Sequence, residues 1–456
     1  MIEYPEWVNL TREEVQRFGL PKAEGLPEWP EIEQHKAISA KRGQLDISFV
    51  PIVWRDGRYQ RIKSFTLKVC QEAQTQKKSR ASGAERYAAH SVLATGRWVK
   101  IRVADNGMHM LMHGTLKQMG FADPSKVRLF GYGGHMLSES DVASWNDDLH
   151  EVGVWRGDDR MLFYANGSVE WILEKDNTFT HSRNPYSDYG YYFLTDSEVA
   201  DNDGYEVADA MAAKNPDGQP SGEPLVWTPA YTLHEVDNYA WFHGGRKLVE
   251  SYDYLNGNVR NYSLSAVGVY SQQKSVLDVC FTHNAQTMTS VSVAVDGSSV
   301  GTLSLRSISS HEEAAEVERG FSFTLDATNA SHSVKLAHSR GANISGRLDY
   351  LRLNYSKIIG LNMPIYVPYT SADGCTFKVG DANDYTVVWR VNDASRPVRM
   401  ASTLDERSFT FTDGDAKAGD VYIAFDRRAT YPVPEVVEGV ALLRRIVEQS
   451  PPSEDE

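Results

Sequence analysis

Apolar and polar residues alternate with a period of two along most of the chain, which is the pattern of strands with one buried face. Val99, Ile101 and Val103 alternate with polar or amphipathic residues before the turn Asp105-Asn106-Gly107, which predicts strand, turn, strand. Further strands are predicted at 127–130, 160–164, 169–173, 261–269, 275–281, 289–295, 301–305, 321–325, 333–337, 347–353, 385–391, 409–411 and 421–426. The close spacing of the runs beyond residue 241 predicts a β-sandwich.

Helical signals are few and short. Thr11 and Glu14 have the spacing of a capping box, and Gly19 ends the helix that it predicts. A second short helix is predicted at 115–119, and an amphipathic one at 436–447 before the acidic tail 450–456. We therefore expect a mainly β protein with two or more β-sandwich or jelly-roll-like domains and a few short helices.

Turn residues and changes in composition suggest how the chain is divided. Two alternating runs, 45–50 and 59–69, lie around the turn Asp56-Gly57 and predict a hairpin, while the polar stretch 71–84 has no aromatic residue and predicts a linker. The predicted segments are an N-terminal α+β hairpin segment with its linker (1–83), a β-rich domain with short helices (84–240), a jelly-roll-like β-sandwich (241–362), a β segment completing a sandwich (363–430), and a C-terminal helix with an acidic tail (431–456).

The composition excludes some classes of protein. Of 456 residues, 41% are hydrophobic and 24% charged, which is ordinary globular usage. The formal net charge of -14 repels a phosphate backbone, so we predict no nucleic-acid partner. The 10 Trp, 23 Tyr and 16 Phe favour strands and binding surfaces.

Thiol chemistry has no support from the pattern. A cysteine peptidase needs a thiolate beside a histidine. Cys280 lies in a predicted buried strand, Cys70 ends another strand, and Cys375 follows a turn. His113 and His243 each precede a glycine, but nothing orients either one towards a thiol. We predict no catalytic residue, and three distant cysteines define no disulfide framework.

Two short motifs suggest catalysis or nucleotide binding and fail on context. Residues 297–301 fit G-x-S-x-G, but strands are predicted on both sides, so Asp296-Gly297 is interpreted as a hairpin tip rather than as part of a nucleophile elbow. Residues 131–134 contain three glycines, but a dinucleotide-binding loop, G-x-G-x-x-G, needs a glycine at position 136, where the chain has methionine, and no clear helix follows. We predict no cofactor and no cofactor-binding residue.

Metal-binding patterns are incomplete. His109 and His113 are four residues apart, but the first lies in a predicted strand and Met110 stands where a zinc peptidase motif has glutamate. Residues 201–204 have the centre of an EF-hand loop without its anchoring carboxylates. We predict no metal ligand; a looser calcium site at 201–204 or at 413–415 is the alternative.

The N-terminus, residues 1–6, has neither the basic start nor the apolar stretch of a signal peptide, and no window approaches 18 consecutive apolar residues. Taken alone, this places the protein in the cytoplasm or indicates that its true N-terminus is missing.

Several stretches resemble, in the same order, the N-terminal region of the PorU family, the gingipain-like sortases (C-terminal signal peptidases) of the type IX secretion system of Bacteroidetes. One of them is Leu348-Asp349-Tyr350-Leu351-Arg352-Leu353-Asn354. The others are 41–51, 97–103 with Asn106-Gly107, 116–121 with 123–134, 184–187 with 191–194, and 388–393 with 424–426.

The resemblance implies β-rich domains that precede a caspase-like α/β peptidase domain carrying a cysteine and a histidine. No position of this chain matches that catalytic pair, and 436–456 does not resemble the entry to the peptidase domain. The implied parent removes the C-terminal sorting domain of secreted cargo and joins the cargo to anionic lipopolysaccharide at the cell surface. A truncated gene product or a split protein is therefore expected, with its enzymatic activity in doubt.

We accordingly expect a non-catalytic scaffold or docking region of a sortase-like cysteine peptidase, located at the cell surface or outer membrane of a Gram-negative bacterium. Its implied partners are an outer-membrane β-barrel protein of the secretion system (PorV-like) and secreted cargo proteins. The alternative is a carbohydrate-binding β-sandwich surface protein in which Trp227, Trp241 or Phe242 stacks on sugars. A third class, an independent hydrolase, has only the failed motifs in its favour.

Overall fold

The computed structural model describes residues 2–18, 26–30, 32–39, 42–67, 91–139, 146–197, 207–209, 223–242, 246–339, 341, 343–371, 374–405 and 408–437. The chain divides into two compact units, residues 1–83 and 84–456. Among the described residues, no helix has the length and apolar character needed to cross a membrane.

The described residues of the first unit form short strands and one helix. Its elements are β1 (Ile2–Asn9), α1 (Arg12–Arg17), β2 (Ile32–Ser39), β3 (Arg42–Phe49), β4 (Ile52–Arg55) and β5 (Arg58–Leu67). β1, β5 and β4 form one antiparallel sheet, and β2 pairs with β3. The capping box predicted for Thr11 and Glu14 is present at the start of α1.

The hairpin predicted around Asp56-Gly57 has a different partner strand. The turn joins β4 to β5, with both residues at positive φ (52° and 69°), whereas β3 pairs with β2. A two-residue turn connects only the strands that directly adjoin it. Because Pro51 lacks an N–H group and separates β3 from β4, the run 45–50 belongs to another ladder.

The second unit begins with strands that surround two short 3₁₀ turns and one helix. These elements are Val92–Ala94 (3₁₀), β6 (Val99–Val103), β7 (Gly107–Met112), α2 (His113–Gln118), Pro124–Lys126 (3₁₀), β8 (Arg128–Gly133), β9 (Val154–Arg156), β10 (Arg160–Ala165), β11 (Val169–Leu173), β12 (Phe179–Arg183), β13 (Gly190–Thr195) and β14 (Ala208–Asp209). The predicted short helix at 115–119 is thus confirmed as part of α2.

The rest of the unit is entirely strands and connections within the described ranges. The strands are β15 (Trp227–Glu235), β16 (Val259–Ser265), β17 (Ser275–His283), β18 (Thr289–Val295), β19 (Ser298–Leu305), β20 (Ala315–Phe323), β21 (Ser331–Ser339), β22 (Gly346–Ile358), β23 (Met363–Tyr366), β24 (Cys375–Val379), β25 (Thr386–Arg390), β26 (Val398–Met400), β27 (Ser402–Asp405), β28 (Ser408–Asp413), β29 (Val421–Asp426) and β30 (Glu435–Val436).

Three layered cores result. In the first sandwich, the sheet β30-β6-β13-β8 covers the sheet β7-β10-β9 around Ile101, Leu111 and Phe163. In the second, β15-β22-β17-β20 covers β16-β21-β18-β19. In the third, β14-β26-β25-β29-β23 covers β24-β28-β27, where the rings of Phe377 and Phe411 stack at 4.5 Å. The predicted fold class, mainly β with sandwich domains and few short helices, is confirmed.

A sheet of the first sandwich and a sheet of the third are buried on both faces. Met110 and Leu162 point away from the first core and pack with Trp389, Phe425 and Tyr431 in a separate apolar cluster. Trp389 is fully buried and meets Phe425 edge-on at 4.8 Å between ring centroids. This cluster joins the first and third sandwiches through an apolar interface.

The helix predicted at 436–447 and the predicted linker 71–84 lie largely or wholly outside the described residues. Val436 lies in β30, which pairs with β6, so the helix predicted at 436–447 does not begin there. The sheet edge of β6 supplies backbone partners that a helix at this point would forgo. The remainder of that helix, the acidic tail and the predicted linker 71–84 lie outside the described residues.

Replacing Trp389 by alanine should destabilise the second unit by about 3–5 kcal/mol, because the side chain is fully buried between two sandwiches and the cavity cannot collapse around a methyl group. Urea unfolding of the full chain, followed by circular dichroism, measures the loss. The matched variant is Leu404→Ala in β27, since Leu404 is 41% exposed and should change stability by less than about 0.5 kcal/mol. Equal midpoints for both variants would contradict the assignment of this interface.

Candidate functional site

The outer face of the sheet β15-β22-β17-β20 carries an unusual density of charge. Leu277, Val279 and Phe281 of β17 point into the second core, so the alternation of the strand turns Asp278 and Cys280 to the opposite face. The neighbouring strands present further charged groups on that face. They are Glu235 on β15, Glu316 and Glu318 on β20, and Asp349 and Arg352 on β22.

Arg352 organises one half of this face. Its Nε donates to Asp278 Oδ2 at 3.1 Å, its Nη2 to Glu318 Oε1 at 3.0 Å, and its Nη1 to His181 Nδ1 at 2.8 Å. Because Nδ1 accepts this bond, the ring proton of neutral His181 lies on Nε2, 3.5 Å from Glu235 Oε1. The Arg352 side chain is only 6% exposed, so these acceptors replace the water that its charge has lost.

The same network fixes the hairpin β11–β12 on the second sandwich. Asn354 donates through Nδ2 to Asp278 Oδ2 at 2.9 Å and accepts at Oδ1 a bond from the Phe179 backbone N–H at 2.8 Å. Phe179 and His181 are both on β12. A buried amide of the second sandwich thus satisfies a backbone N–H of the hairpin and a carboxylate of its own sheet.

Aromatic rings fill the space beside the network, where the hairpin β11–β12 meets the second and third sandwiches. Trp171 of β11 stacks on Tyr231 of β15, with ring centroids 3.6 Å apart and an interplanar angle of 15°. Phe179 meets Tyr231 and Tyr366 edge-on at 4.8 and 4.7 Å. The Thr228 hydroxyl donates to Tyr366 O at 3.0 Å, so β23 of the third sandwich is held to β15 at the same place.

The other half of the face is a group of partly or fully buried carboxylates. One oxygen each of Glu235, Asp237 and Asp349 lie within 4.8 Å of one another. Arg183 approaches Glu235 at 3.5 Å and Asp237 at 3.4 Å, and Lys247 approaches Asp349 at 3.5 Å. Burial raises the pKa of Asp237 to about 6, and the nearby Glu235 charge adds to the effect. Burial likewise raises the pKa of Asp349 to about 6.

Cys280 adjoins these carboxylates as a hydrogen-bond donor. Its Sγ donates to Asp349 Oδ2 at 3.3 Å. Cys280, Glu316 and Asp349 also form a second group whose possible metal-ligand atoms lie close together. Burial, together with the charges of Asp349 and Glu316, raises the pKa of the thiol far above its ordinary value. The thiol is therefore protonated at neutral pH, which suits neither a nucleophile nor a metal ligand.

These carboxylates have cationic side chains as their partners, which is the arrangement of an ion-pair network. Arg183 pairs with Glu235 and Asp237, and Lys247 pairs with Asp349, so a divalent ion held by these three carboxylates would be repelled by both cations. The expectation that no residue binds a metal stays a prediction.

A pocket of about 470 Å³ opens beside the Lys247–Glu316 ion pair. Trp241 and Phe242 line it. Trp241 Nε1 donates to Thr282 Oγ1 at 3.0 Å, and the Thr282 hydroxyl donates to the Arg347 carbonyl at 3.2 Å. Phe242 is 58% exposed. Two of the three aromatic residues singled out for sugar stacking thus share one pocket, whereas Trp227 stacks on Tyr270.

The histidines and cysteines singled out in the sequence have structural surroundings. His109 is buried in β7, its Nδ1 donates to the Gly107 carbonyl at 3.0 Å, and burial lowers its pKa. His113 begins α2. Cys375 is buried in the third core. Neither Cys280 nor Cys375 forms a disulfide. Cys70, His243 and the loop 201–204 lie outside the described residues.

Turn geometry accounts for the two glycine motifs. Asp296 and Gly297 have φ of 48° and 80° at the tip of the β18–β19 hairpin, so the strand-turn-strand interpretation of 297–301 is confirmed. Gly131 and Gly133 have φ of 142° and 88° within β8. A Cβ on Gly133 would lie 2.6 Å from the Asn166 carbonyl, so glycine is needed there for close backbone approach.

The turn 413–415, proposed as an alternative calcium loop, uses its first carboxylate elsewhere. Asp413 is buried, and its Oδ2 accepts hydrogen bonds from Tyr422 at 2.8 Å and from Arg390 at 3.2 Å. Its Oδ1 accepts the Asp415 backbone N–H at 3.0 Å. The carboxylate therefore holds the third core together, and the geometry gives the calcium alternative no support.

The comparisons with known proteins show a likeness of fold. No protein-family model matches the chain, and no curated protein matches it. A crystal structure of dimeric latent PorU from Porphyromonas gingivalis is similar, with a TM-score of 0.67 and 22% sequence identity over 77% of this chain and 34% of that chain. The chain thus spans about a third of PorU, whose matched part has the same fold.

Two other solved structures are similar only in parts. The CBM36-1 domain of a multidomain xylanase from the hindgut metagenome of Trinervitermes trinervoides has a TM-score of 0.20 and 15% identity, covering 28% of this chain and 96% of that chain. The delta-endotoxin Cry8Ea1 of Bacillus thuringiensis has a TM-score of 0.20 and 9% identity, covering 50% of this chain and 41% of that chain.

Replacing Arg352 by methionine should destabilise the second unit by about 3 kcal/mol or more, because Asp278 and Glu318 lose the cation that pairs with them. Amide hydrogen exchange should also increase selectively in β11 and β12, since the hairpin loses its bond to His181. The matched control is Lys335→Met on the exposed face of β21. Unchanged exchange in β12 would refute the role of Arg352 as the link between the hairpin β11–β12 and the second sandwich.

The raised pKa of Asp349 predicts a stability that falls as pH rises. The folded pKa of Asp349, about 6, exceeds the ordinary value of 3.8. Its contribution to the free energy of unfolding is therefore complete below about pH 4 and is lost between about pH 4 and 6. Compared with wild type, Asp349→Asn should gain up to about 3 kcal/mol across that window. Denaturant titrations at pH 4 and 7 measure the difference.

The control for this pH dependence is Asp188→Asn, since the Asp188 side chain is 75% exposed and its removal should change stability little at either pH. An Asp349→Asn variant whose stability runs parallel to that of wild type from pH 4 to 7 would show that Asp349 is not held protonated by its surroundings.

Proposed function

We propose that this chain is a non-catalytic scaffold or docking region of a type IX secretion sortase-like cysteine peptidase. The observation that carries the proposal is the shared fold with PorU over 77% of the chain. The described cysteines agree with a non-catalytic role, because Cys280 and Cys375 are both buried in strands and burial raises the pKa of Cys280. The parent enzyme would process the sorting domain of secreted cargo and attach the cargo to the cell surface.

The buried joints within the second unit support a positioning role. Apolar burial of Trp389 and Phe425 joins the first and third sandwiches, and the bonds of Arg352 join the hairpin β11–β12 to the second. Elements fixed by buried contacts keep a constant relative orientation, which is what a scaffold must supply to a catalytic domain or a bound partner.

The partners proposed are an outer-membrane β-barrel protein of the secretion system (PorV-like) and secreted cargo, at the cell surface or outer membrane of a Gram-negative bacterium. For the barrel we propose the surface around Tyr186, which is 70% exposed. Arg246 lies next to it and pairs with Glu139, with Nη2 donating to Oε2 at 3.2 Å. An exposed tyrosine beside an arginine is typical of interface centres.

Purified full chain should bind the purified barrel protein in detergent or nanodiscs, measured by biolayer interferometry. Tyr186→Ala should weaken binding at least ten-fold, because truncation removes the largest exposed ring of the proposed contact. Met288→Ala, which removes another exposed side chain (75% exposed), should bind as wild type does. Absence of binding by the wild-type chain would refute the docking proposal, and equal binding by Tyr186→Ala would refute this surface.

A second candidate function, that of a carbohydrate-binding β-sandwich surface protein, is favoured by one observation. Trp241 and Phe242, which the sequence suggests for sugar stacking, line the same pocket on the second sandwich. This function does not depend on a peptidase partner.

A further inference from the structure

The pocket bounded by Trp241, Phe242, Lys247 and Glu316 combines ring surface with charged groups. Its volume of about 470 Å³ lies within the range of small-molecule sites, about 300–1,000 Å³. The rings provide flat apolar surface, and the lining also includes His311 and Glu313. Such a combination suits a ligand that has an apolar face and a polar edge.

One wall of the pocket is rigid before any ligand arrives. The indole of Trp241 is held by its bond to Thr282 and meets Tyr239 edge-on at 6.0 Å. Thr282 already accepts from Trp241 and donates to Arg347, so its hydroxyl hydrogen is committed within the protein. A prefixed ring reduces the entropy lost on binding.

The opposite side is more exposed. Phe242 is 58% exposed, and covering it would remove apolar surface from water. Lys247 pairs with Glu316 and lies 3.5 Å from Asp349, which leaves one of the three N–H donors of its ammonium group for a ligand at the edge of the pocket. Glu313 is exposed on the same lining and can accept hydroxyl hydrogens.

The charges select among ligands. The lining carries Glu312, Glu313 and Glu316 against Lys247, and Asp349 lies behind Lys247. Arg306 neutralises Glu312 and contributes to holding its pKa at about 2. The remaining carboxylates outweigh the single lysine, so an anionic ligand is repelled, while a neutral one loses nothing.

We infer that this pocket binds an uncharged saccharide unit, stacked on Trp241 and Phe242 with its hydroxyl groups directed to Lys247 and Glu313. A pyranose ring has an apolar face of C–H groups and a hydroxyl-bearing edge, which matches the two kinds of surface in the pocket. The inference rests on the carbohydrate-binding candidate function and adds the ligand class, an uncharged sugar rather than a uronic acid.

A glycan array probed with the purified full chain tests the inference, with neutral, uronic acid and amino-sugar oligosaccharides side by side. Binding to neutral glycans should be saturable, and isothermal titration with the strongest neutral glycan should show at least a ten-fold loss for Phe242→Ala. Phe242 is exposed, so this variant should fold. Met288→Ala is the matched control and should bind as wild type does.

The outcomes separate the inference from the functions beneath it. Binding of uronic acid or amino-sugar glycans alone would overturn the neutral class while supporting carbohydrate binding. No saturable glycan binding would overturn both. Neutral-glycan binding that Phe242→Ala leaves unchanged would overturn the assignment to this pocket. The docking proposal is tested separately, through Tyr186 and the barrel protein.

Discussion

The architecture depends most on one buried cation. Arg352 lies on the outer face of the second sandwich with only 6% of its side chain exposed, so its charge requires acceptors from the protein. Asp278 and Glu318 supply two of them from neighbouring strands, and His181 supplies the third from β12 of a hairpin far away in the chain. Since the guanidinium has a fixed planar geometry, satisfying it also fixes where the hairpin β11–β12 lies. The aromatic contacts of Trp171 and Phe179 with Tyr231 are formed at the same joint.

Apolar packing joins the first and third sandwiches, as the bonds of Arg352 join the hairpin to the second. The strands β7 and β25 are buried on both faces, and both have near-continuous apolar sequences, as in Met108-His109-Met110-Leu111-Met112 and Thr386-Val387-Val388-Trp389. A strand with one wet face alternates, whereas a strand covered on both faces does not. The interface between the first and third sandwiches is therefore visible as a lack of alternation. Its partner surfaces are not visible, because nothing in either run specifies which other run it will face.

The sequence predicts local parts of the fold, but it does not predict the long-range contacts that form the site. Local signals succeed where neighbours in the chain are neighbours in space: the capping box of Thr11 and Glu14 and the hairpin turn Asp296-Gly297 are both found in the structure. The Arg352–His181 bond joins residues 171 positions apart, so no local pattern contains it. Polar residues facing outward on β17 and β22 indicate only that the face is polar. The stretch 348–354 resembles the family region, but no spacing of its residues predicts an ion-pair network.

The electrostatics of this face also decide what kind of chemistry it suits. A nucleophilic thiol needs a nearby positive charge or a base that stabilises the thiolate. Cys280 instead donates to Asp349, and its pKa is raised first by burial and then by the charges of Asp349 and Glu316, with Lys247 opposing them only in part. Asp237 and Asp349 are shifted in the same direction, towards their protonated forms. At neutral pH these two aspartates are therefore less completely ionised than exposed ones, and the buried thiol keeps its proton. Such surroundings keep the Cys280 thiol as a hydrogen-bond donor and do not activate it as a nucleophile.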